Sequence, residues 1–194
     1  MKLCVFGASS DQIDRRYLEA GEALGRHMAR RGHPLIFGGG ATGMMGAVVR
    51  GVTEEGGEST GIAPRFFDRE GVLYPGCSQM IFTDTMRQRK EQMERLADGF
   101  IVTPGGIGTL EEFFEVLTLK QLGQHQKPIA ILNTAGCFDG LGALLEGLVR
   151  DGFMSEGCLE LYYMTDDAEE LLSYMEAAQA GTPQAAPRQK GSTL

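Results

Sequence analysis

A short apolar run, a glycine-rich turn and the start of a helical pattern follow one another in Phe100-Ile101-Val102-Thr103-Pro104-Gly105-Gly106-Ile107-Gly108-Thr109-Leu110-Glu111-Glu112. The same order recurs in Leu35-Ile36-Phe37-Gly38-Gly39-Gly40-Ala41-Thr42-Gly43-Met44-Met45-Gly46. Strands that are apolar throughout are typical of parallel sheets covered by helices on both faces. Both segments therefore predict strand–turn–helix units of an α/β domain.

Apolar runs alternate with helix-length amphipathic stretches along most of the chain. The predicted strands cover 2–6, 33–37, 58–63, 78–82, 99–102 and 128–132. The predicted helices cover 11–31, 43–56, 84–97, 109–121, 138–150 and 167–178. Such alternation predicts an open, doubly wound Rossmann-like parallel sheet flanked by helices. We expect one domain over 1–180, with a loop near the site at 64–77, and a disordered tail over 181–194.

Composition and charge restrict the class of protein. The 194 residues include 28 glycines without a G-X-Y repeat, which excludes collagen, and the 42% hydrophobic content excludes a disordered chain. The net charge of −8 argues against a nucleic-acid partner. No apolar run approaches the roughly 18 residues that a membrane span requires. The four cysteines form no C-x-x-C pair, so we expect reduced thiols, no metal and a cytoplasmic location.

Both glycine turns lie where ligands bind in such sheets, beyond the carboxyl ends of strands. Glycine lets a ligand approach the backbone, and the free N–H groups of the next helical turn attract phosphate or carboxylate. Tight strand–helix turns also use glycine for purely structural reasons, so a single such turn is a weak signal. Two in one small domain make a binding site the stronger interpretation.

The first turn also fits the dinucleotide fingerprint G-x-G-x-x-G through Gly38, Gly40 and Gly43, with Glu58 twenty residues later. The fingerprint normally opens the first βα turn, whereas this one follows the second strand. An NAD(P)-dependent oxidoreductase therefore remains an alternative. A Walker A loop is excluded, because neither turn ends in Gly-Lys-Ser/Thr.

Three charged residues lie on or beside apolar helix faces. Arg89 and Lys90 occupy the places where an apolar stripe through Met93 should continue, so each needs a partner, a ligand or a side chain that snorkels to water. Glu112 stands at the edge of the next buried face, one turn from the glycine loop. It also fits a capping box that begins at Thr109, which would make it a structural residue.

Two motifs found together resemble those of the Lonely guy (LOG) family. The segment 104–112 is similar to its P-G-G-x-G-T-x-x-E signature, and Met86-Arg87-Gln88-Arg89-Lys90 is similar to its M-H-x-R-K segment. The turn at 38–46 resembles its G-G-G-x-x-G-x-M-G loop, and the resemblance covers about residues 1–178. Arg87 stands where the family commonly has histidine, a departure that bears on base or side-chain selectivity.

The resemblance implies a Rossmann-like homodimer that hydrolyses the N-glycosidic bond of a nucleoside 5′-monophosphate without a cofactor. Members are cytokinin riboside 5′-monophosphate phosphoribohydrolases, long mislabelled as possible lysine decarboxylases. Matching positions imply Arg89 and Glu112 as the catalytic pair. The implied substrate-binding residues are Gly39, Gly40, Gly43, Glu70, Met86, Arg87, Lys90, Gly105, Gly106, Ile107, Gly108, Thr109 and Thr118.

A non-enzymatic alternative comes from molybdenum-cofactor carrier proteins, which resemble this fold and its glycine loop. A carrier of a phosphorylated ligand has less need of a carboxylate, so the presence of Arg89, Lys90 and Glu112 together favours the hydrolase. Lysine decarboxylation is rejected, because no lysine has a recognisable Schiff-base context and no cofactor-phosphate cup pairs with one.

Overall fold

A seven-stranded parallel sheet organises residues 1–181, which are the residues that the computed structural model describes. Its strands are β1 (Leu3–Phe6), β2 (Leu35–Phe37), β3 (Ser59–Pro64), β4 (Gln79–Thr83), β5 (Gly99–Val102), β6 (Ile129–Leu132) and β7 (Tyr163–Thr165). Its helices are α1 (Arg15–Arg30), α2 (Gly43–Glu54), α3 (Met86–Leu96), α4 (Ile107–Gln121), α5 (Asp139–Arg150) and α6 (Ala168–Gln179). The expected α/β class is confirmed.

The strand order β4-β3-β2-β1-β5-β6-β7 places β1 at the point where the sheet changes its direction of growth. Val5 of β1 pairs with Phe37 of β2 on one side, and Phe6 pairs with Val102 of β5 on the other. In open parallel sheets the crevice outside the carboxyl ends of the strands at such a switch point is the usual ligand site. The turns after β1, β2 and β5 all open there.

Side chains alternate along each strand, so the sheet buries two separate hydrophobic layers. Leu3 and Val5 face a layer formed with α1, α2 and α6, whereas Cys4 and Phe6 face a layer formed with α3, α4 and α5. All four side chains are at most 3% exposed. Coverage on both faces explains why the strands read as continuous apolar runs.

The structure differs from the sequence prediction mainly at element ends. It adds β7, which the prediction omitted, and short 3-10 helices at Arg65–Phe67, Thr134–Gly136 and Glu156–Glu160. The first helix starts at Arg15 because the Asp14 carboxylate caps it, accepting a 3.0 Å hydrogen bond from the Arg16 N–H. Nearly all of the expected tail, 181–194, lies outside the described residues. Within 1–181, every helix is too short or too polar to span a bilayer.

Candidate functional site

Three turns meet beyond the carboxyl ends of β1, β2 and β5. The Ala8 N–H donates to the Pro104 carbonyl at 3.1 Å, and the Ala8 carbonyl accepts from the Met45 N–H at 3.3 Å. The Thr42 hydroxyl adds a 2.6 Å bond to the Ser9 carbonyl. The turn at 7–11, which the prediction did not include in the site, therefore ties the two glycine turns together. Its signal in the sequence was its position directly after the first strand.

Arg89 reaches this junction from α3 and is only 7% exposed. Its Nε donates to the Ile62 carbonyl at 3.2 Å, and its Nη1 donates to Glu112 Oε1 at 2.9 Å. Gly38 provides the space, because a Cβ atom built there would lie 2.0 Å from Arg89 Nη2. The snorkelling interpretation is therefore wrong for Arg89. Its guanidinium is held inside the fold by a strand carbonyl, a carboxylate and a glycine.

Glu112 pairs with Arg89 instead of capping its own helix. Helix α4 begins at Ile107, so Thr109 already lies inside the helix, and the capping-box interpretation is wrong. The Glu112 side chain is 12% exposed and that of Arg89 is 9% exposed, so the ion pair is largely shielded from water. A buried pair of this kind costs desolvation free energy, which makes it an unusual choice for stability alone.

Burial raises the pKa of the Glu112 carboxyl above its ordinary value of 4.5. The charge and hydrogen bond of Arg89 act in the opposite direction, while the negative charge of Glu111 adds to the increase. A carboxylate with a raised pKa is a better proton acceptor near neutral pH than an exposed glutamate. Such shifts, next to a cleft and a specific charge partner, are typical of functional sites.

The amino end of α4 presents open backbone. A Cβ atom built on Gly106 or Gly108 would meet no heavy atom within 4 Å, and Ile107 is 88% exposed. Gly106, the N-cap residue, supplies no side-chain hydrogen bond to the helix. The N–H groups of a first helical turn without a capping side chain suit a phosphate or carboxylate.

The first glycine turn is filled by the protein itself. Gly39 has a positive φ of 77°, and its carbonyl accepts a 2.8 Å hydrogen bond from the Tyr74 N–H. A Cβ atom on Gly40 would lie 2.8 Å from Met45 Cε. The Gly43 N–H donates to Asp11 Oδ1 at 2.7 Å. Substrate binding by Gly39, Gly40 and Gly43 stays a prediction.

The fingerprint behind the oxidoreductase alternative is separated in space. The Leu35 N–H at the start of β2 bonds to the Glu58 carbonyl, which places Glu58 at the amino ends of the strands. The glycine turn lies at the carboxyl end of β2, on the opposite edge of the sheet. Glu58 is therefore badly placed to bind the ribose of a dinucleotide held by this turn.

Lys90 contacts two glutamates of α4. Its Nζ donates to Glu111 Oε1 and lies 2.8 Å from Glu115 Oε2, and its side chain is 19% exposed. The remaining predicted binding residues are more peripheral. Met86 and Arg87 are exposed at the start of α3.

Glu70 and Thr118 lie away from the Arg89–Glu112 pair. Glu70 lines a cavity of about 560 Å³ formed by the 68–77 loop, β4 and Ala41 of the first glycine turn, and the wall of this cavity does not include Arg89 or Glu112. Thr118 is exposed on α4, roughly 16 Å along the helix from its start at 1.5 Å per residue. Their roles in binding stay predictions.

The chain is similar in sequence to one protein-family model and to plant phosphoribohydrolases. A family model described as "possible lysine decarboxylase" matches residues 45–175. The chain is 35% identical to the cytokinin riboside 5′-monophosphate phosphoribohydrolase LOG2 of Arabidopsis thaliana, over 90% of this chain and 82% of the relative. It is 34% identical to the phosphoribohydrolase LOG of Oryza sativa subsp. japonica, over 90% and 72%.

Among solved structures, the chain resembles a molybdenum cofactor binding protein from Rippkaea orientalis. The TM-score is 0.70 and the identity is 19%, over 91% of this chain and 96% of that one. At this identity the likeness concerns the fold alone.

Proposed function

The chain belongs to the LOG family, and we propose that it hydrolyses the N-glycosidic bond of a purine nucleoside 5′-monophosphate, either AMP or a cytokinin-type nucleotide. The products are the free base and ribose 5-phosphate. The observation that carries the proposal is the shielded Arg89–Glu112 pair at the switch point, beside the open helix start at Gly106 and Gly108. The family similarity supplies the reaction class, and these residues supply a means to perform it.

Glu112 is the group that acts on the reacting bond in this proposal. Cleavage of the C1′–N bond develops positive oxocarbenium character on the ribose, which an adjacent carboxylate stabilises. The same carboxylate orients and deprotonates the attacking water, which adds to C1′ as the base departs. Its raised pKa suits this second role at neutral pH.

In this proposal, Arg89 orients the Glu112 carboxylate and keeps it ionised. A guanidinium stays protonated in proteins, so Arg89 is a poor general acid. Its bonds to Ile62 and Glu112 fix the direction of the Glu112 oxygen and favour the ionised form. The close approach to Gly38 supports this positioning role over a grip on the substrate.

The 5′-phosphate would bind the N–H groups at the start of α4. Backbone donors and the helix dipole attract one small anion even in a chain of net charge −8. Binding the phosphate fixes C1′ relative to Glu112, so a nucleoside without phosphate should react poorly. A carrier for a phosphorylated ligand could use the same helix start. It would not need the buried carboxylate, which favours hydrolysis.

We also propose that the protein acts as a cytoplasmic homodimer. The proposal follows from the family resemblance, in which members are homodimers. Three exposed apolar side chains along α4 and at its end, Ile107, Phe114 and Leu122, which are 88%, 36% and 66% exposed, are candidate contacts for the second copy. Light scattering of the parent protein and of Leu122→Glu tests the proposal, which predicts a dimeric parent and a weaker dimer in the variant. A monomeric parent protein would refute it.

Product analysis of a nucleotide panel tests the activity. AMP, N6-isopentenyl-AMP, GMP, CMP and adenosine are each incubated with the protein, and free base and ribose 5-phosphate are quantified together. We expect equimolar products from a purine monophosphate and at least about a hundredfold less from adenosine, since the phosphate positions the sugar. Absence of base release from every monophosphate would refute the proposal.

A further inference from the structure

Four glutamates, one of them Glu112 itself, lie around the side chain of Lys90. Glu111, Glu112 and Glu115 lie on α4, and Glu94 lies on α3. Lys90 Nζ bonds to Glu111 and lies 2.8 Å from Glu115. A void too small for a water molecule lies among Phe6, Lys90, Glu94, Glu112 and Glu115. Glu112 therefore shares one poorly hydrated pocket with two further carboxylates and one ammonium.

Few cations balance these carboxylates. The charged and titratable groups around Glu112 are Arg89, Lys90 and Glu94 on α3, Glu111 and Glu115 on α4, Cys4 on β1 and Lys127 before β6. The Lys127 ammonium is engaged with the Glu94 carbonyl at 2.7 Å. Cys4 is a neutral thiol, because burial raises its pKa well above the ordinary value. Lys127 lowers the pKa of Glu94, whereas Arg89 and Lys90 lower that of Glu112. Glu112 therefore depends on Arg89 and Lys90 for its positive neighbours.

We propose that Lys90 is a positioning residue, which neutralises Glu111 and Glu115 and thereby keeps Glu112 ionised for catalysis, and that it does not grip the nucleotide. This inference rests on the proposed function, in which the Glu112 carboxylate performs the reaction. It assigns to Lys90 a different role from the substrate contact that the family resemblance implies.

The geometry carries this assignment. The Lys90 ammonium has three donors, and two of them are directed to carboxylates of α4. Burial lowers the pKa of Lys90, but its hydrogen bonds to Glu111 and Glu115 outweigh burial and raise that pKa overall. The ammonium therefore stays charged at all pH values of interest. Its charge lowers the pKa of Glu112, whereas that of Glu111 raises it.

Loss of the Lys90 charge should raise the pKa of the Glu112 carboxyl. In Lys90→Met, Glu111 and Glu115 lose the ammonium that neutralises them and repel the Glu112 carboxylate more strongly. Arg89 remains as the cation bonded to Glu112, so the protonation of Glu112 shifts to higher pH but the ion pair persists. We expect the acid limb of kcat for base release from AMP to move upward by about one pH unit. At the alkaline plateau, kcat should stay within about threefold of the parent and KM within about twofold.

Charge rescue separates this role from substrate binding. In Lys90→Met/Glu111→Gln/Glu115→Gln, the repelling charges are gone as well, and the acid limb should return to the parent position or lower. Lys90→Arg should leave the limb in place. Lys120→Met is the matched control, because its Nζ bonds to the Leu161 carbonyl and not to these glutamates. Lys90→Gln replaces Lys90→Met if the methionine variant fails to fold, with the same expected shift.

The closing experiment measures the Glu112 carboxyl directly by ¹³C titration in the parent, the Lys90 variants and the triple variant, beside the pH profiles with AMP. An upward shift in Lys90→Met that the triple variant reverses supports the proposal. If the Glu112 pKa is unshifted in Lys90→Met and KM for AMP is raised, Lys90 contacts the nucleotide. If the pKa is shifted in Lys90→Met and the triple variant does not reverse the shift, Glu111 and Glu115 are not its cause. Either result overturns the proposal. Failure of the parent to release base would refute the function, while the titration would still decide the role of Lys90.

Discussion

The glycine turn at 38–46 is packed with protein atoms, whereas Gly106 and Gly108 in the turn at 103–109 face open space. In the first turn, glycine admits the Arg89 guanidinium beside Gly38 and the positive φ of Gly39. In the second turn, it leaves the first N–H groups of α4 uncovered. The difference teaches that glycine has two uses here: in one turn it makes room for Arg89, and in the other it leaves backbone open, where we propose that the phosphate binds.

Removal of the Glu112 carboxylate should have the largest effect on activity. Glu112→Gln retains the size and a hydrogen-bond acceptor for Arg89 but loses the negative charge. We expect base release from AMP to fall by at least about a thousandfold, since both oxocarbenium stabilisation and water activation are lost. Glu91→Gln, on the exposed side of α3, is the control and should retain parent activity. Turnover by Glu112→Gln near the parent rate would contradict the assignment.

A methyl group in the packed turn should be the next most harmful change. In Gly38→Ala the new Cβ would lie 2.0 Å from Arg89 Nη2, so the guanidinium has to leave its place against β2. We expect kcat to fall by about a hundredfold or more and the free energy of unfolding to fall by roughly 1–3 kcal/mol, as in overpacked cores. Urea unfolding and the AMP assay measure both. A variant with parent kcat would show that this turn does not hold Arg89.

The matched change in the open turn should leave the fold intact. In Gly108→Ala the Cβ meets no protein atom, and alanine in a helix is favoured over glycine by up to about 1 kcal/mol. The methyl group would project into the space proposed for the phosphate, so we expect KM for AMP to rise about tenfold without loss of stability. An unchanged KM would mean that the phosphate binds elsewhere.

The pH dependence should report the Glu112 environment. Because the carboxylate is the active form and burial raises its pKa, activity should fall as pH decreases through a value above 4.5. The same raised pKa means that the folded state holds this proton more tightly than the unfolded state. The stability that this group contributes is therefore present at low pH and is lost as pH rises through the folded pKa. An acid limb at or below 4.5 would contradict the buried setting.

Much of the fold was predictable, because strands covered on both faces give continuous apolar runs with glycine at their ends. The strand β7 was missed because Tyr163–Thr165 is only three residues long and is followed by Asp166 and Asp167 rather than by a glycine turn. Arg89 and Glu112 were identified from motifs. Their roles became clear only from the contacts of Arg89 with Glu112, Ile62 and Gly38 in the folded structure. Periodicity placed both at apolar faces and left snorkelling and capping open, since neither the Ile62 carbonyl nor the space at Gly38 is visible in a linear pattern.

The most direct test of the division between the two turns is a titration of the ¹⁵N-labelled protein with ribose 5-phosphate, followed by amide chemical shifts. We predict saturable shifts at Ile107, Gly108 and Thr109, with much smaller changes at Gly39 and Gly40. Dominant shifts at Gly39 and Gly40, with the start of α4 unchanged, would contradict the account.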